Sequence, residues 1–110
     1  MQPGPTPTTQ TITVNYNAPN ITTSPTTIAA QNGSRVTVVW ATGSTISAIN
    51  NITSLVPNSS SALNVSPTLN NGIWSGQYVM SAVNYLYTLS IITDGNTIVQ
   101  DPQIINDPTG

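Results

Sequence analysis

The sequence predicts an all-β protein, a single sandwich of about seven short, mostly antiparallel strands. Three observations predict this fold: apolar and polar residues alternate with a period of two in several segments, Gly, Pro and Asn separate those segments, and little of the chain favours a helix. Short strands between turn residues are typical of two packed sheets. A length of 110 residues fits one domain.

The chain begins with a Pro-rich stretch that contains Pro3, Pro5 and Pro7. Because Pro fixes φ and lacks an N–H, we expect residues 1–9 to form an extended arm rather than a helix or a central strand. This arm either reaches toward a partner or serves as a linker or tail. The sandwich domain is then expected over residues 10–110.

The first strand follows the arm, because Ile12, Val14 and Tyr16 alternate with polar residues from Thr11 onward. A turn is expected at 18–20. A Thr-rich turn and a short strand at 27–29 come next along the chain.

Asn32-Gly33 predicts a tight turn, since Asn-Gly tolerates the positive φ that such turns require. It leads into residues 35–40, which predict a central strand with Val36, Val38 and Trp40 on one face.

Residues 41–72 carry the weakest pattern. Their apolar residues are spaced loosely like a helix face, but the Thr, Ser and Asn between them are poor helix formers and Pro57 ends any helix. We expect short strands and loops here, with a strand at 63–65. A helical turn at 50–55 is the alternative.

The clearest strand covers residues 84–93, where Tyr85, Tyr87, Leu89 and Ile91 share one face. It follows a strand expected at 73–80. Asp94-Gly95 predicts a hairpin turn into a strand at 96–100, and a last edge segment is expected at 103–105.

The C-terminal third carries Tyr85-x-Tyr87, Asp94-Gly95 and Asp101-Pro102 in that order. With the Val38-x-Trp40 strand, this ending resembles small bacterial cupredoxin-like or immunoglobulin-like β-sandwich domains of unassigned function. Copper proteins of that fold use two His and a Cys, usually with an axial Met. This chain offers only Met80, so the resemblance implies the architecture and no copper.

The same ending, preceded by Gly72-x-Trp74, also resembles glycogen- and starch-binding modules. Those modules stack sugars on two exposed Trp residues supported by a Lys, and this chain has no Lys. We expect Trp74 to be the most exposed aromatic. Trp74 and Tyr78 are the candidate carbohydrate contacts, whereas Trp40, Tyr85 and Tyr87 are expected in the core.

The chain has no His, Cys, Glu or Lys, and its charged residues are Arg35, Asp94, Asp101 and Asp107. General acid–base catalysis and transition-metal binding rely mainly on the missing residue types. We therefore expect neither an enzyme nor a cofactor or metal site. Each Asp precedes Gly or Pro, which is typical of turns, and a calcium site is the alternative interpretation.

One Arg cannot neutralise a phosphate backbone, so a nucleic-acid partner is not expected. No apolar run approaches the ~20 residues of a membrane span. The Thr/Ser/Asn-rich composition favours an extracellular or cell-surface location, although no signal peptide is visible. Sequons that would permit glycosylation occur at Asn20, Asn32, Asn51, Asn58 and Asn64.

These observations predict a non-enzymatic structural or protein-interaction domain, whose partners are proteins, including copies of itself. Its strand edges lack the charges with which natural sheets prevent edge-to-edge pairing. The arm and the following strand, with Ile12, Val14 and Tyr16, form the candidate assembly strand. The alternative is a carbohydrate-binding module.

Overall fold

The computed structural model describes residues 7–56 and 65–109 and consists of two packed β-sheets, with no helix in these two ranges. The ten strands are β1 (Thr8–Asn17), β2 (Asn20–Ser24), β3 (Thr27–Gln31), β4 (Arg35–Thr42), β5 (Ala48–Val56), β6 (Val65–Asn70), β7 (Ile73–Val79), β8 (Tyr85–Thr93), β9 (Asn96–Gln100) and β10 (Gln103–Thr109). The first sheet has the order β2-β1-β4-β7-β6. The second has the order β3-β10-β8-β5, and β9 also pairs with β8. The all-β sandwich prediction is confirmed.

The pairing is mostly antiparallel, with two parallel exceptions. Of the eight strand pairings, six are antiparallel, whereas β1 with β4 and β10 with β3 are parallel. The described residues form ten strands rather than about seven, because the Thr-rich stretch that we expected to be a turn forms β2 and the ambiguous middle forms β5 and β6. β1 begins at Thr8, inside the predicted arm, and residues 1–6 lie outside the described residues.

An irregularity in β5 explains why the apolar residues in the middle of the chain do not alternate as in a regular strand. Its register against β8 shifts between Ile49 and Asn51, so a bulge inserts an extra residue there. Ile52 is buried and Ile49 is half-buried although they are three residues apart, which is a helix-like spacing. The alternative of a helical turn at 50–55 is therefore wrong. Val65 of the strand expected at 63–65 opens β6, and residues 63 and 64 lie outside the described residues.

The core lies between the sheets. Its large rings are those of Trp and Tyr, because the chain has no Phe. Trp40 of β4 meets Tyr87 of β8 edge-on, with ring centroids 5.3 Å apart. The Trp40 Nε1–H donates to the Tyr87 hydroxyl at 3.2 Å. Aliphatic side chains from both sheets surround this contact: Ile12, Val14, Ile28, Val36, Val38, Leu89, Ile91 and Ile104 are all buried.

A loop after β4 is tied to β1 by a small polar network around Asn15. The Asn15 Oδ1 accepts hydrogen bonds from the Thr45 backbone N–H at 3.1 Å and from the Thr45 hydroxyl at 2.6 Å. The Gly43 N–H donates to the Val14 carbonyl at 2.7 Å. A Cβ at position 43 would collide with the Asn15 side-chain amide, so any other residue there must displace Asn15.

We predict that Gly43→Ala lowers the free energy of unfolding by ~1–3 kcal/mol, because the added methyl group must displace Asn15 from its hydrogen bonds. Urea unfolding followed by tryptophan fluorescence measures the change. Asn15→Ala removes the obstructing amide, so adding Gly43→Ala to that variant costs less than it does in the parent chain. An equal cost in both backgrounds contradicts the collision.

Candidate functional site

Four side chains cross the first sheet in one row toward its β6 edge. Ile12 of β1, Trp40, Trp74 of β7 and Leu69 of β6 stand directly opposite one another in the strand registers. Their side chains therefore share one face of the sheet. Ile12 and Trp40 are buried, Trp74 is half-buried, and Leu69 is 56% exposed. The row thus leads from the core to an open flank of the sandwich.

A cavity of about 240 Å³ lies at this flank, and we call it the flank cleft. It is bounded by β4, β6 and β7 of the first sheet and by the start of β5, which is an outer strand of the second sheet. Its lining consists of Trp40, Thr42, Ser47, Ala48, Ile49, Leu69, Gly72 and Trp74. The lining carries two indoles and two hydroxyl side chains but no charged group, so it suits a neutral ligand with an apolar part.

Trp74, which lines the flank cleft, has an unusual indole N–H. Its Nε1 is buried and has no hydrogen-bond partner among the described residues. An unsatisfied buried donor costs about 1–3 kcal/mol, so such groups normally find an acceptor in a water molecule or a ligand. The neighbouring Trp40 donates to Tyr87 instead, at 3.2 Å. Trp74 therefore holds a donor that the rest of the described fold does not use.

Tyr78, the second candidate carbohydrate contact, lies in the core. It is only 5% exposed and stacks on Tyr85, with ring centroids 5.6 Å apart. Its hydroxyl donates to the Asn106 Oδ1 at 2.6 Å, and the Asn106 Nδ2 donates to the Val83 carbonyl. Tyr78 shares the inward face of β7 with Trp74, but deeper between the sheets. It therefore presents no surface for stacking a sugar.

The residues of the candidate assembly strand lie within the first sheet of their own chain. Ile12 and Val14 are fully buried, and Tyr16 is half-buried against the core. β1 pairs with β4 along Thr8–Val14 and with β2 along Thr13–Asn17. This strand thus completes its own core, and donating it to a neighbour would open that core.

The charged residues occupy turns and exposed positions. Asp94 has a φ of 50° in the β8–β9 turn, and Asp101 accepts a hydrogen bond from the Thr88 hydroxyl at 2.9 Å. Arg35 donates to the Gln77 Oε1 at 3.3 Å. Within residues 7–56 and 65–109, no three acidic, His or Cys residues form a group that could hold a metal ion. Met80 is buried in the core.

Two further observations concern membrane-spanning helices and the exposure of the sequon residues. No helix among the described residues is long and apolar enough to cross a bilayer. The sequon residues Asn20, Asn32 and Asn51 are exposed, whereas Asn58 and Asn64 lie outside the described residues.

The chain matches no model of a known protein family and no curated protein sequence. The two-sheet all-β architecture is compatible with the cupredoxin-like or immunoglobulin-like resemblance. That finer assignment stays a prediction.

Of the residues that line the flank cleft, Trp74 is the one that the sequence singled out as a candidate ligand contact. Ser47, Ala48 and Ile49 enter it from β5 and the preceding loop, and Leu69 enters it from β6. These residues meet only because of the strand order, which no local pattern reveals. An apolar residue next to turn residues, such as Leu69 before Asn70, was the one available signal.

We predict that the protein loses stability at alkaline pH through its buried tyrosines. Burial raises the pKa of Tyr87 to about 12, and it raises the pKa of Tyr78 further. The unfolded chain releases these protons near pH 10, and the folded chain releases them only at higher pH. The free energy of unfolding contributed by these groups is therefore intact below pH ~10 and falls above it, by at most about 1.4 kcal/mol per pH unit for each tyrosine.

Urea unfolding at pH values from 8 to 12 measures this slope. In Tyr87→Phe the free energy of unfolding falls less steeply with pH, because one of the two buried tyrosines no longer titrates. At neutral pH the same variant is less stable by about 1–3 kcal/mol, because Trp40 loses its acceptor. If the free energy of unfolding of Tyr87→Phe changes with pH as it does in the parent chain, Tyr87 does not contribute to the loss of stability at alkaline pH.

Proposed function

We propose that this chain is a non-enzymatic structural or protein-interaction domain that binds proteins, including copies of itself, through the uncharged edges of its sheets. One observation carries the proposal: β2, β3, β5, β6 and β9, which are the outermost strands, contain no Asp, Glu, Lys or Arg. Natural sheets commonly place charged residues, Lys above all, on such strands to prevent association.

Exposed apolar side chains on and beside these strands support the proposal. Leu69 on β6 and Val99 on β9 are 56% and 57% exposed, and Ile73 on β7 is 52% exposed. Leu69 and Ile73 flank the Asn71-Gly72 turn, next to the flank cleft. Apolar groups gain free energy when a partner removes them from water, at about 25 cal/mol per Å².

The edges are also interrupted, which favours short contacts over a continuous intermolecular sheet. β5 has two register shifts, β6 contains Pro67 and a further shift, and β2, β3 and β9 are five residues long. Bulges, Pro and short strands limit strand addition without any charge. We therefore propose contacts of a few residues, in which side chains and short backbone segments take part.

An extracellular or cell-surface location belongs to the same proposal. It is supported by the neutral Thr/Ser/Asn-rich composition and by the exposed sequon residues. A carbohydrate-binding module is the second candidate function. It is favoured by one observation, the unused Trp74 indole N–H in the neutral flank cleft.

We predict that the purified protein associates with itself in a concentration-dependent manner. Light scattering coupled to size exclusion, from micromolar to several hundred micromolar protein, measures the native mass. Thr53→Lys on β5 and Val99→Lys on β9 place a charge on an outermost strand and lower this mass.

Asn32→Lys is the matched control, because it adds the same charge to an exposed turn between β3 and β4. This variant associates like the parent. A parent chain that stays monomeric throughout contradicts self-association, and equal masses for all three variants contradict the role of the edges.

A further inference from the structure

We propose that the flank cleft receives one or two residues of segment 1–7 in the arm of a second copy of this chain. This inference rests on the proposed function, since it names the site and the occupant of one self-association contact.

The flank cleft has the properties of a groove for a proline-rich peptide. Such peptides dock in aromatic-lined grooves. Trp74 supplies a ring and an unused N–H donor, Trp40 supplies a second indole, and the exposed Leu69 extends the apolar rim. The volume of about 240 Å³ is smaller than the ~300–1,000 Å³ of sites for drug-sized ligands. It therefore suits one or two residues of an extended peptide.

The arm has the complementary properties. Pro3, Pro5 and Pro7 present apolar rings, and residues 1–7 contain no charged side chain. A polyproline-type backbone forms no internal hydrogen bonds, so its carbonyls are available as acceptors, and Pro adds no competing N–H donor. A carbonyl of this kind can serve as the acceptor that the Trp74 Nε1 lacks, which requires that docking uncover this buried atom. Because Pro limits φ, ordering the segment also costs less entropy than ordering an ordinary chain.

The strand directions point to the cleft of another copy. β1 runs parallel to β4, with Thr8 opposite Val36 and Ile12 opposite Trp40. Thr8 thus lies about 13 Å before the level of Trp40, at ~3.3 Å per residue, and β1 runs from Thr8 toward that level. A line extended backward from β1 therefore points away from the level of Trp40, and Trp74 lies on the far side of β4 from β1.

An arm at one end and a cleft toward the other define a head-to-tail contact. Such a contact uses two different surfaces, so it either closes into a ring or continues as a filament. The domain is elongated, with extents of 54 × 24 × 20 Å. We therefore expect closed rings or linear filaments rather than symmetric dimers.

The direct test titrates a synthetic peptide of residues 1–7 into a chain that lacks those residues and monitors tryptophan fluorescence. The control peptide has Ala in place of all three Pro residues. We expect saturable binding of the native peptide only. Trp74→Phe keeps an aromatic ring but removes the N–H, and we expect binding about two- to tenfold weaker. Leu69→Lys changes an exposed rim residue and also weakens binding, and circular dichroism verifies that both variants are folded.

The second measurement is the native mass. Deleting residues 1–7 lowers the native mass, and adding the truncated chain to the full chain shortens the assemblies. If the truncated chain associates like the parent, the inference is overturned, while the proposed function stands through the edge variants described above. A parent chain that is monomeric at every concentration overturns the inference and the self-association part of the proposed function.

Three further outcomes of the titration also overturn the inference. Equal affinity of the peptide for the parent cleft, Trp74→Phe and Leu69→Lys places the peptide elsewhere. A fluorescence response to neutral oligosaccharides but not to the peptide assigns the flank cleft to carbohydrate. Peptide binding by the truncated chain, together with a full chain that is monomeric and does not bind the peptide, shows that the arm occupies its own cleft.

Discussion

The contact between Trp40 and Tyr87 is the interaction on which the packing of the two sheets depends. Trp40 belongs to the first sheet and Tyr87 to the second, and both rings are almost fully buried. The rings pack edge-on with their centroids 5.3 Å apart, and a 3.2 Å hydrogen bond joins the Trp40 N–H to the Tyr87 hydroxyl inside an otherwise apolar core. A chain without Phe obtains large buried rings only from Trp and Tyr, whose polar atoms usually have a hydrogen-bond partner when buried. Tyr87 supplies that pairing for Trp40.

The same contact explains why the flank cleft is chemically distinct. Trp74 stands beside Trp40 in the sheet, one strand nearer to the edge, and its N–H does not bond to the Tyr87 hydroxyl. Its ring packs partly against the core while its Nε1 has no partner among the described residues. With no charged side chain in the lining, the flank cleft can discriminate only by shape, apolar contact and neutral hydrogen bonds. These limits agree with the charge-free strands around it.

Local patterns predicted the strands that alternate cleanly and the turns that require special backbone angles. The strands at 35–40 and 84–93 correspond to β4 and β8, and Gly33 and Gly95 have φ values of 82° and 75°. What depends on distant pairing could not be predicted: the parallel pairing of β1 with β4 and the bulge in β5. Tyr78 illustrates the same limit. Its ring lies at the inward face of β7, and only the packing of the second sheet determines that this position is closed.

The parallel pairing of β1 with β4 has a mechanical consequence. Residues Thr8–Val14 stand opposite Val36–Thr42 in seven consecutive positions. A pulling force applied to Pro7 along the axis of β1 loads the bonds of this ladder together, in shear. A hairpin pulled apart at its open end breaks its bonds one after another, so it yields at lower force. The segment that precedes β1 is thus fastened to the sandwich in the geometry best able to transmit tension.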